Sequence, residues 1–360
     1  MSNVSHPPLS AATAQQSQRD DWVEYAKGIG IILVVYGHVA RGLRNAGLAD
    51  SFAQYDLVDN LIYSFHMPLF FFLSGLYFFK SLAGRGSKQF VFSKVDTIVY
   101  PYLLWSVVQG GIQVFLSKYT NHQASLSEIS KILWAPIDHF WFLYALFVMF
   151  VMCTLIFSVV PKAYSFWVFL AAAVYYLFPV QLLGPTISPL ISQYWVFFCA
   201  GIFLSTQGGF QRLFNAAGLA MALALFIFSQ WYVDSQLHLR FTDMGPFELL
   251  LALISIGFIV SVSGILAKFP VKFLAYIGSS SMAIYILHVL AASAIRIILR
   301  KVFHIESFAV HAVLGLLGGM VLPLMAVAVF KRFGIKYAFS APLSRWLAAP
   351  LALAKQPTSP

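Results

Sequence analysis

Two ionisable side chains, Lys27 and His38, interrupt the first apolar segment of the chain, VEYAKGIGIILVVYGHVAR. They are eleven residues apart, and an α-helix turns by about 100° per residue, which makes about three full turns over that distance. Both side chains should therefore share one helix face, about 16 Å apart along the axis. An ionisable group at membrane depth costs about 2.5 kcal/mol or more and is generally retained for function. We therefore expect Lys27 and His38 to line one cavity.

The chemistry open to His38 is proton transfer, because an imidazole takes up or releases a proton near neutral pH. The transfer of an acyl group to a hydroxyl needs such a general base. The alternative is a structural histidine that bonds a neighbouring carbonyl group. Lys27 has its own alternative as a cationic anchor at the helix end. Glu24, three residues earlier, is placed on the same helix face to pair with it.

A second group of polar residues lies in the apolar run YSFHMPLFFFLSGLYFF. Pro68 is expected to interrupt the helix and free backbone groups there, which His66 could satisfy. Otherwise His66 is a second polar group facing the cavity of His38. His139 and His288, each taken alone, are predicted to be packing or interfacial residues. Three or four histidines at membrane depth are nevertheless many for a purely structural bundle.

The composition identifies an integral membrane protein. Of 360 residues, 60% are hydrophobic and only 10% charged, with a mean hydropathy of +0.79, whereas soluble domains are about 45–50% apolar. We predict an all-α polytopic membrane helix bundle with about ten transmembrane helices, since about 20 apolar residues cross a bilayer. The predicted spans are 27–43, 57–79, 95–116, 139–159, 163–180, 188–205, 213–232, 246–266, 274–295 and 310–330.

Charge indicates the topology rather than a nucleic-acid partner, although the net charge is +10. With the N-terminus in the cytoplasm, 15 of the 23 Lys and Arg residues fall on the cytoplasmic side of the predicted spans. This bias favours a cell-membrane protein with both termini cytoplasmic. The densest basic loop, KSLAGRGSK, contains Lys80, Arg85 and Lys88 and is followed by Lys94. It is either a topology signal alone or a binding site for an anionic cytosolic ligand.

The remaining features exclude several classes of protein. The chain contains no HEXXH, Walker or GxSxG pattern, which argues against a zinc protease, a phosphate-loop ATPase and an α/β-hydrolase. Cys153 and Cys199 lie in apolar runs, and no metal site or disulfide is implied. We predict a disordered N-terminal tail at 1–21, a membrane domain at 22–332 and a cytoplasmic C-terminal tail at 333–360.

Four motifs in order resemble the membrane acyltransferase-3 family, in its branch of fucose 4-O-acetylase-like and exopolysaccharide O-acetyltransferases. They are VEYAKGIGIILVVYGH at 23–38, FHMPLFFFLSG at 65–75, WFLYALF at 141–147 and GSSSMAIYILH at 278–288. In that family an arginine or lysine, ten residues and a histidine mark the catalytic region, a pattern that Lys27 and His38 match. Many members have arginine where this chain has Lys27 and aspartate where it has Glu24.

The resemblance implies an O-acyltransferase that takes acetyl-CoA as co-substrate, without a metal, and acetylates a sugar hydroxyl. The acceptor would be an exopolysaccharide or its lipid-linked precursor, handled with polysaccharide biosynthesis proteins in a bacterial-type inner membrane. The expected catalytic residues are His38, Lys27 and His66. The expected residues that hold the CoA phosphates are Lys27, Arg85, Lys88 and Lys94, although the family's basic residues after the second span are more often arginine, which grips phosphate at two points.

Two questions stay open from the sequence. His38 could act as the general base or could carry the acetyl group briefly. The chain could also be a transporter or flippase of glycan intermediates, because a bundle with intramembrane polar groups suits that task as well. Within the enzyme class, succinyl rather than acetyl transfer is a further alternative.

Overall fold

Every regular element in the described part of the chain is a helix, and the predicted all-α bundle is confirmed. The computed structural model describes residues 10–49, 52–115, 126–208, 210–269 and 271–345. The α-helices in chain order are α1 (Ser10–Asn45), α2 (Tyr55–Tyr63), α3 (His66–Leu76), α4 (Phe78–Ala83), α5 (Ser87–Lys94), α6 (Tyr100–Phe115), α7 (Leu126–Ser130), α8 (Trp141–Val159), α9 (Ser165–Leu177), α10 (Gly184–Gln207), α11 (Ala216–Ser235), α12 (Pro246–Leu266), α13 (Lys272–Ser279), α14 (Ser281–Lys301) and α15 (Phe308–Arg332).

Within these described ranges, nine helical segments are long and apolar enough to cross a membrane. They are Asp21–Asn45, Tyr55–Ala83, Ser87–Phe115, Asp138–Val159, Gly184–Gln207, Ala216–Ser235, Pro246–Leu266, Ser281–Lys301 and Phe308–Arg332. The span predicted at 163–180 corresponds to a shorter apolar helix, Lys162–Leu177. The side of the membrane on which each terminus lies stays a prediction, and so does the division at 1–21, 22–332 and 333–360. Residues 1–9 and 346–360 of the predicted tails lie outside the described residues.

The second span is broken, but not at Pro68. The helix is interrupted at Ser64 and Phe65, between α2 and α3. Pro68 is the third residue of α3, in the first turn, where its missing N–H removes no intrahelical bond. Nδ1 of His66 lies 2.8 Å from the carbonyl oxygen of Ile62, the geometry of an N–H donor at this bond. His66 thus bonds a backbone carbonyl at the end of α2 and not a group freed by Pro68, and its catalytic role stays a prediction.

Helix α1 is the element around which the site is built, because it packs against α3, α12, α13, α14 and α15. Close backbone approach holds a second helix pair together, α3 with α10. A Cβ added at Gly75 would lie 2.0 Å from the Phe198 carbonyl oxygen, and one at Gly201 would lie 2.0 Å from that of Phe72. In lipid, helices associate through such tight packing rather than through the hydrophobic effect. The lack of a side chain at Gly75 and Gly201 is therefore what allows α3 and α10 to touch.

Candidate functional site

Three histidines from distant parts of the chain meet inside the bundle. We call His38, His139 and His288 the histidine cluster. The ring centroid of His38 is 5.0 Å from that of His288 and 5.8 Å from that of His139. The rings of His139 and His288 are 5.2 Å apart. Each pair of rings is edge to face, so the three imidazoles pack against one another.

The chain positions the three rings from three different elements. His38 lies on α1, His288 lies on α14, and His139 lies in a short 3-10 turn, Asp138–Phe140, that leads into α8. Asp138 begins this turn with a left-handed φ of 45°, which aspartate tolerates better than most residues. The hydroxyl of Tyr285 on α14 donates to the backbone carbonyl of His139. The turn that carries His139 is therefore tied to the helix that carries His288.

The nitrogens of the buried histidines are only partly used by the protein. Nδ1 of His288 lies 2.7 Å from the Tyr285 carbonyl oxygen and 3.1 Å from that of Ile284, which holds its proton on Nδ1. Nε2 of His288 is buried without a hydrogen-bond partner. Both ring nitrogens of His139 also lack a well-formed hydrogen bond, although the Tyr285 and Ile286 carbonyls lie nearby. Buried polar atoms rarely lack a hydrogen-bond partner. Imidazole nitrogens without a partner are able to take part in proton transfer.

His38 is the member of the cluster that is accessible. Its side chain is partly exposed, whereas His139 is 4% and His288 0% exposed. His66 is also buried, lies edge-on to Tyr63 with ring centroids 4.5 Å apart, and is near enough to His38 for an electrostatic interaction. Adjacent imidazoles cannot all carry a positive charge at low cost. At least one neighbour of His38 is therefore available as a neutral proton acceptor.

His38 and His66 were predicted from the sequence as site residues, whereas the packing of His139 and His288 against His38 was not. The only signal was the number of histidines at membrane depth. A metal is the usual occupant of a histidine trio, yet among the residues that the structure describes, no group of three or more His, Cys, Asp or Glu could hold a metal ion.

Lys27 forms the ion pair that its spacing predicts. Its Nζ lies 2.7 Å from Oε1 of Glu24, and the two side chains are 28% and 34% exposed. A partly exposed pair of this kind contributes about 0.3–0.5 kcal/mol, so stability alone does not explain the lysine. Helix α1 runs unbroken from Lys27 to His38, which keeps the two side chains about 16 Å apart along the axis. Their opening into one cavity stays a prediction.

The basic loop residues differ from one another in their surroundings. Arg85 and Lys88 are exposed. Arg85 lies in the connection between α4 and α5, and Lys88 lies at the start of α5. Lys88 lies over one aromatic ring, with Nζ 5.8 Å from the centroid of Phe92. Lys94 is closer to two, with Nζ 4.0 Å from the centroid of Phe150 and 5.1 Å from that of Phe90. A cation over an aromatic face is stabilised by about 0.5–2 kcal/mol. Lys94 is therefore the least available of the three to a phosphate.

A large cleft lies at the end of the bundle where the apolar part of α1 begins. We call this end the Lys27 end. This basal cleft has a volume of about 620 Å³ and is lined by Trp22, Lys80, Lys162, Thr206 and Phe210, among others. Lys80 and Lys162 are exposed. From the sequence, Lys162 was only a topology signal and Lys80 was part of the densest basic loop. Their meeting in one cleft could not be predicted, because its walls come from segments that are far apart in the chain.

The similarity to known proteins covers the part of the chain that contains the histidine cluster. The acyltransferase-3 family model, described as an acyltransferase domain, matches residues 20–328, which include all the histidines of the site. The chain is 28% identical over 201 residues to nodulation protein NolL of Mesorhizobium japonicum, covering 55% of this chain and 51% of the relative. It is 28% identical over 256 residues to nodulation protein NolL of Sinorhizobium fredii, covering 68% and 63%. The chain thus spans about half to somewhat under two thirds of these relatives. No solved structure matches it.

Proposed function

The chain belongs to the acyltransferase-3 family, and on that premise we propose that this membrane acyltransferase is an acetyl-CoA-dependent O-acetyltransferase. Its acceptor is a sugar hydroxyl of an exopolysaccharide or of the lipid-linked precursor. The observation that supports this function best is the histidine cluster, which places a partly exposed imidazole beside two buried ones at membrane depth. A transfer to a hydroxyl requires such a base.

The donor side of the proposal uses the Lys27 end of the bundle. The basal cleft is of the size that holds a small-molecule ligand, about 300–1,000 Å³. Lys80 and Lys162 line it and supply positive charge for the phosphates of CoA. We keep Lys27, Arg85, Lys88 and Lys94 as further candidates. Trp22 lines the same cleft as Lys80 and Lys162, and its buried ring packs against Phe214 with the ring centroids 5.6 Å apart.

The acceptor chemistry is assigned to His38. Acetyl-CoA supplies an acetyl group activated as a thioester. In one route His38 removes the proton of the sugar hydroxyl while the oxygen forms the new ester bond. In the other route a ring nitrogen of His38 first carries the acetyl group and then passes it to the hydroxyl. In both routes CoA leaves as a thiol with a proton returned from an imidazole, and His139, His288 and His66 hold His38 in place.

The proposal also places the protein in a bacterial-type inner membrane, with both termini in the cytoplasm and polysaccharide biosynthesis proteins as partners. This arrangement rests on the excess of Lys and Arg on one side of the spans. It puts the basal cleft on the side where acetyl-CoA is made.

The test uses the full chain purified in lipid nanodiscs, radiolabelled acetyl-CoA, and glycan extracted from cells in which the gene is deleted. We expect label to appear in the glycan and to be released by mild alkali, as an ester is. Transport of unlabelled glycan across vesicles without label transfer would instead identify a flippase. Mass analysis of the glycan before and after deletion identifies the acyl group, and a succinyl difference would reject acetyl-CoA as the donor.

A further inference from the structure

A second polar pocket lies at the opposite end of the bundle, where α1 ends, which we call the Arg41 end. Residues of α2, α9, α10, α12 and the connection between α11 and α12 line it, among them Asn60, Tyr63, Tyr176, Gln193 and Glu248. The cavity is narrow, with a volume of about 30 Å³. Such a volume has room for one or two groups of the size of a water molecule or a hydroxyl.

Glu248 is the residue of this pocket that most needs a ligand. It lies in the first turn of α12 and is 7% exposed, and its Oε1 is buried without a hydrogen-bond partner. A buried carboxylate oxygen without a donor is costly. The positive end of the helix dipole lowers that cost but supplies no donor to Oε1. The pocket therefore offers a hydrogen-bond acceptor to whatever enters it.

A second residue of the pocket also has a polar atom without a hydrogen-bond partner. Tyr63 lines the same cavity, and its hydroxyl is buried and makes no hydrogen bond. The ring itself is held firmly, since the Arg41 guanidinium lies 3.2 Å from its centroid. Arg41 is in turn fixed by two bonds to Asp59, of 2.8 and 2.9 Å. The hydroxyl of Tyr63 is thus a positioned donor or acceptor that the protein itself leaves unused.

The rim of the pocket is also rigid. Asn60 accepts a hydrogen bond of 2.7 Å from the Phe241 backbone N–H and donates one of 3.2 Å to the Leu239 carbonyl. These bonds tie the α11–α12 connection to α2. On the other wall, Tyr194 stacks between Phe71 and Trp141, with ring centroids 5.0 and 4.9 Å away. A binding site that is formed in advance loses little entropy on ligand binding.

Tyr63 also connects the pocket to the histidine cluster. A Cβ added at Gly37 would lie 2.9 Å from the Tyr63 ring, so this ring packs against the residue that precedes His38. The other edge of Tyr63 contacts His66. The wall of the pocket is therefore in direct contact with the helix turn that presents the proposed base.

We propose that this pocket binds the hydroxyl groups of the carbohydrate acceptor, and that Glu248 and Tyr63 are its binding residues. The inference rests on the proposed function and adds to it the location of the acceptor. A carboxylate accepts hydrogen bonds from neighbouring sugar hydroxyls, whereas it repels an anionic ligand. The narrow cavity selects the edge of a sugar ring. Donor and acceptor then approach His38 from opposite ends of the bundle.

The test separates binding of the acceptor from use of the donor. Glu248→Gln in the full chain in nanodiscs is compared with the control Glu306→Gln, an exposed carboxylate of the α14–α15 connection at the same end of the bundle. The probe is fluorescently labelled glycan from the deletion strain. We expect Glu248→Gln to weaken glycan binding and to raise the KM for glycan about tenfold. The KM for acetyl-CoA and the behaviour of Glu306→Gln should match the wild type.

A second variant covers the case in which Glu248→Gln does not fold. Tyr63→Phe removes only the hydroxyl and keeps the ring between Arg41 and Gly37, and we expect it to weaken glycan binding about three- to tenfold. Wild-type glycan affinity in both variants would overturn the proposal. An equal rise in the KM for acetyl-CoA would do so as well. If the wild type binds glycan but does not use acetyl-CoA, the proposed function is wrong. The glycan affinities of the two variants then still show whether the pocket binds the glycan.

Discussion

At the scale of single residues, the members of the histidine cluster differ in what their nitrogens already bind. His288 uses Nδ1 on backbone carbonyls and His66 uses Nδ1 on Ile62, so both rings are fixed by the helices that carry them. His38 is partly exposed and has two imidazoles within 6 Å of its own. In the proposed function these neighbours position His38, whose partly exposed imidazole is the proposed base or acetyl carrier.

The first prediction concerns His38 itself. We expect His38→Asn to lower the rate of label transfer at least about 100-fold, because loss of a general base costs about 10²–10⁴ in rate. The amount of protein in the membrane should not change. The control is His304→Asn, since His304 is exposed in the α14–α15 connection with a φ of 53°, which asparagine tolerates. Full acetate content in the glycan of the His38 variant would reject the assignment.

Substitution of Lys27 gives the second prediction. It should change the affinity for acetyl-CoA more than the stability of the protein. We expect Lys27→Ala to raise the KM for acetyl-CoA about fivefold and to leave the melting temperature nearly unchanged, because its ion pair with Glu24 is partly exposed and such pairs contribute little. Lys27→Arg keeps the charge and should restore most of the affinity. An unaltered KM in Lys27→Ala would identify this lysine as a helix-end anchor.

At the scale of elements, the backbone contact between α3 and α10 decides where the broken second span sits. Helix α3 begins at His66, so the position of this histidine depends on how α3 is held. Gly75 and Gly201 allow the two backbones to touch, and a larger residue at either position would separate the helices. The same contact explains why an interrupted span remains packed in the bundle.

A pair of glycine substitutions tests this contact. Gly201→Ala should destabilise the protein by about 1–3 kcal/mol, since its Cβ would lie 2.0 Å from the Phe72 carbonyl oxygen. The matched control is Gly111→Ala in α6, where nothing lies within 4 Å of the new Cβ. That change should be neutral or stabilising, because alanine has a higher helix propensity than glycine. Thermal unfolding in detergent measures both, and equal melting temperatures would contradict the close contact.

At the scale of the whole molecule, the cavities are arranged along α1 from one end of the bundle to the other. The basal cleft with Lys80 and Lys162 lies at the Lys27 end. The histidine cluster lies nearer the Arg41 end, and the polar pocket with Glu248 lies at that end. In the proposed reaction the donor and the acceptor therefore arrive from opposite ends of the bundle, and the thioester must reach His38 along α1.

Charge reversal in the cleft tests the donor side of this arrangement. We expect Lys162→Glu to raise the KM for acetyl-CoA about tenfold, because a carboxylate repels the CoA phosphates, and to make that KM less sensitive to salt. Lys331→Glu, an exposed change near the end of α15, serves as the control and should have little effect. Equal effects of the two variants would show a general influence of net charge and no binding in the cleft.

What the sequence by itself determined was local or periodic. Hydropathy and length placed nearly all the spans, and the limits predicted at 246–266 coincide with those of α12. The Lys27–Glu24 pair also followed from sequence, because three residues along a helix bring two side chains together wherever that helix lies. The tight contact at Gly75 was predictable for a similar reason, since small residues mark helix contacts in membranes.

Only the tertiary structure decided which helix faces meet. His139 and His288 are about 100 and 250 residues from His38 in the chain, and nothing in the spacing of either ties it to α1. The basal cleft and the pocket around Glu248 have walls from four or more segments each. The physical reason is that a lipid tail is as apolar as leucine, so hydrophobicity places a helix in the membrane without choosing its rotation or its neighbours. Those are chosen by the fit of side chains and backbones between helices.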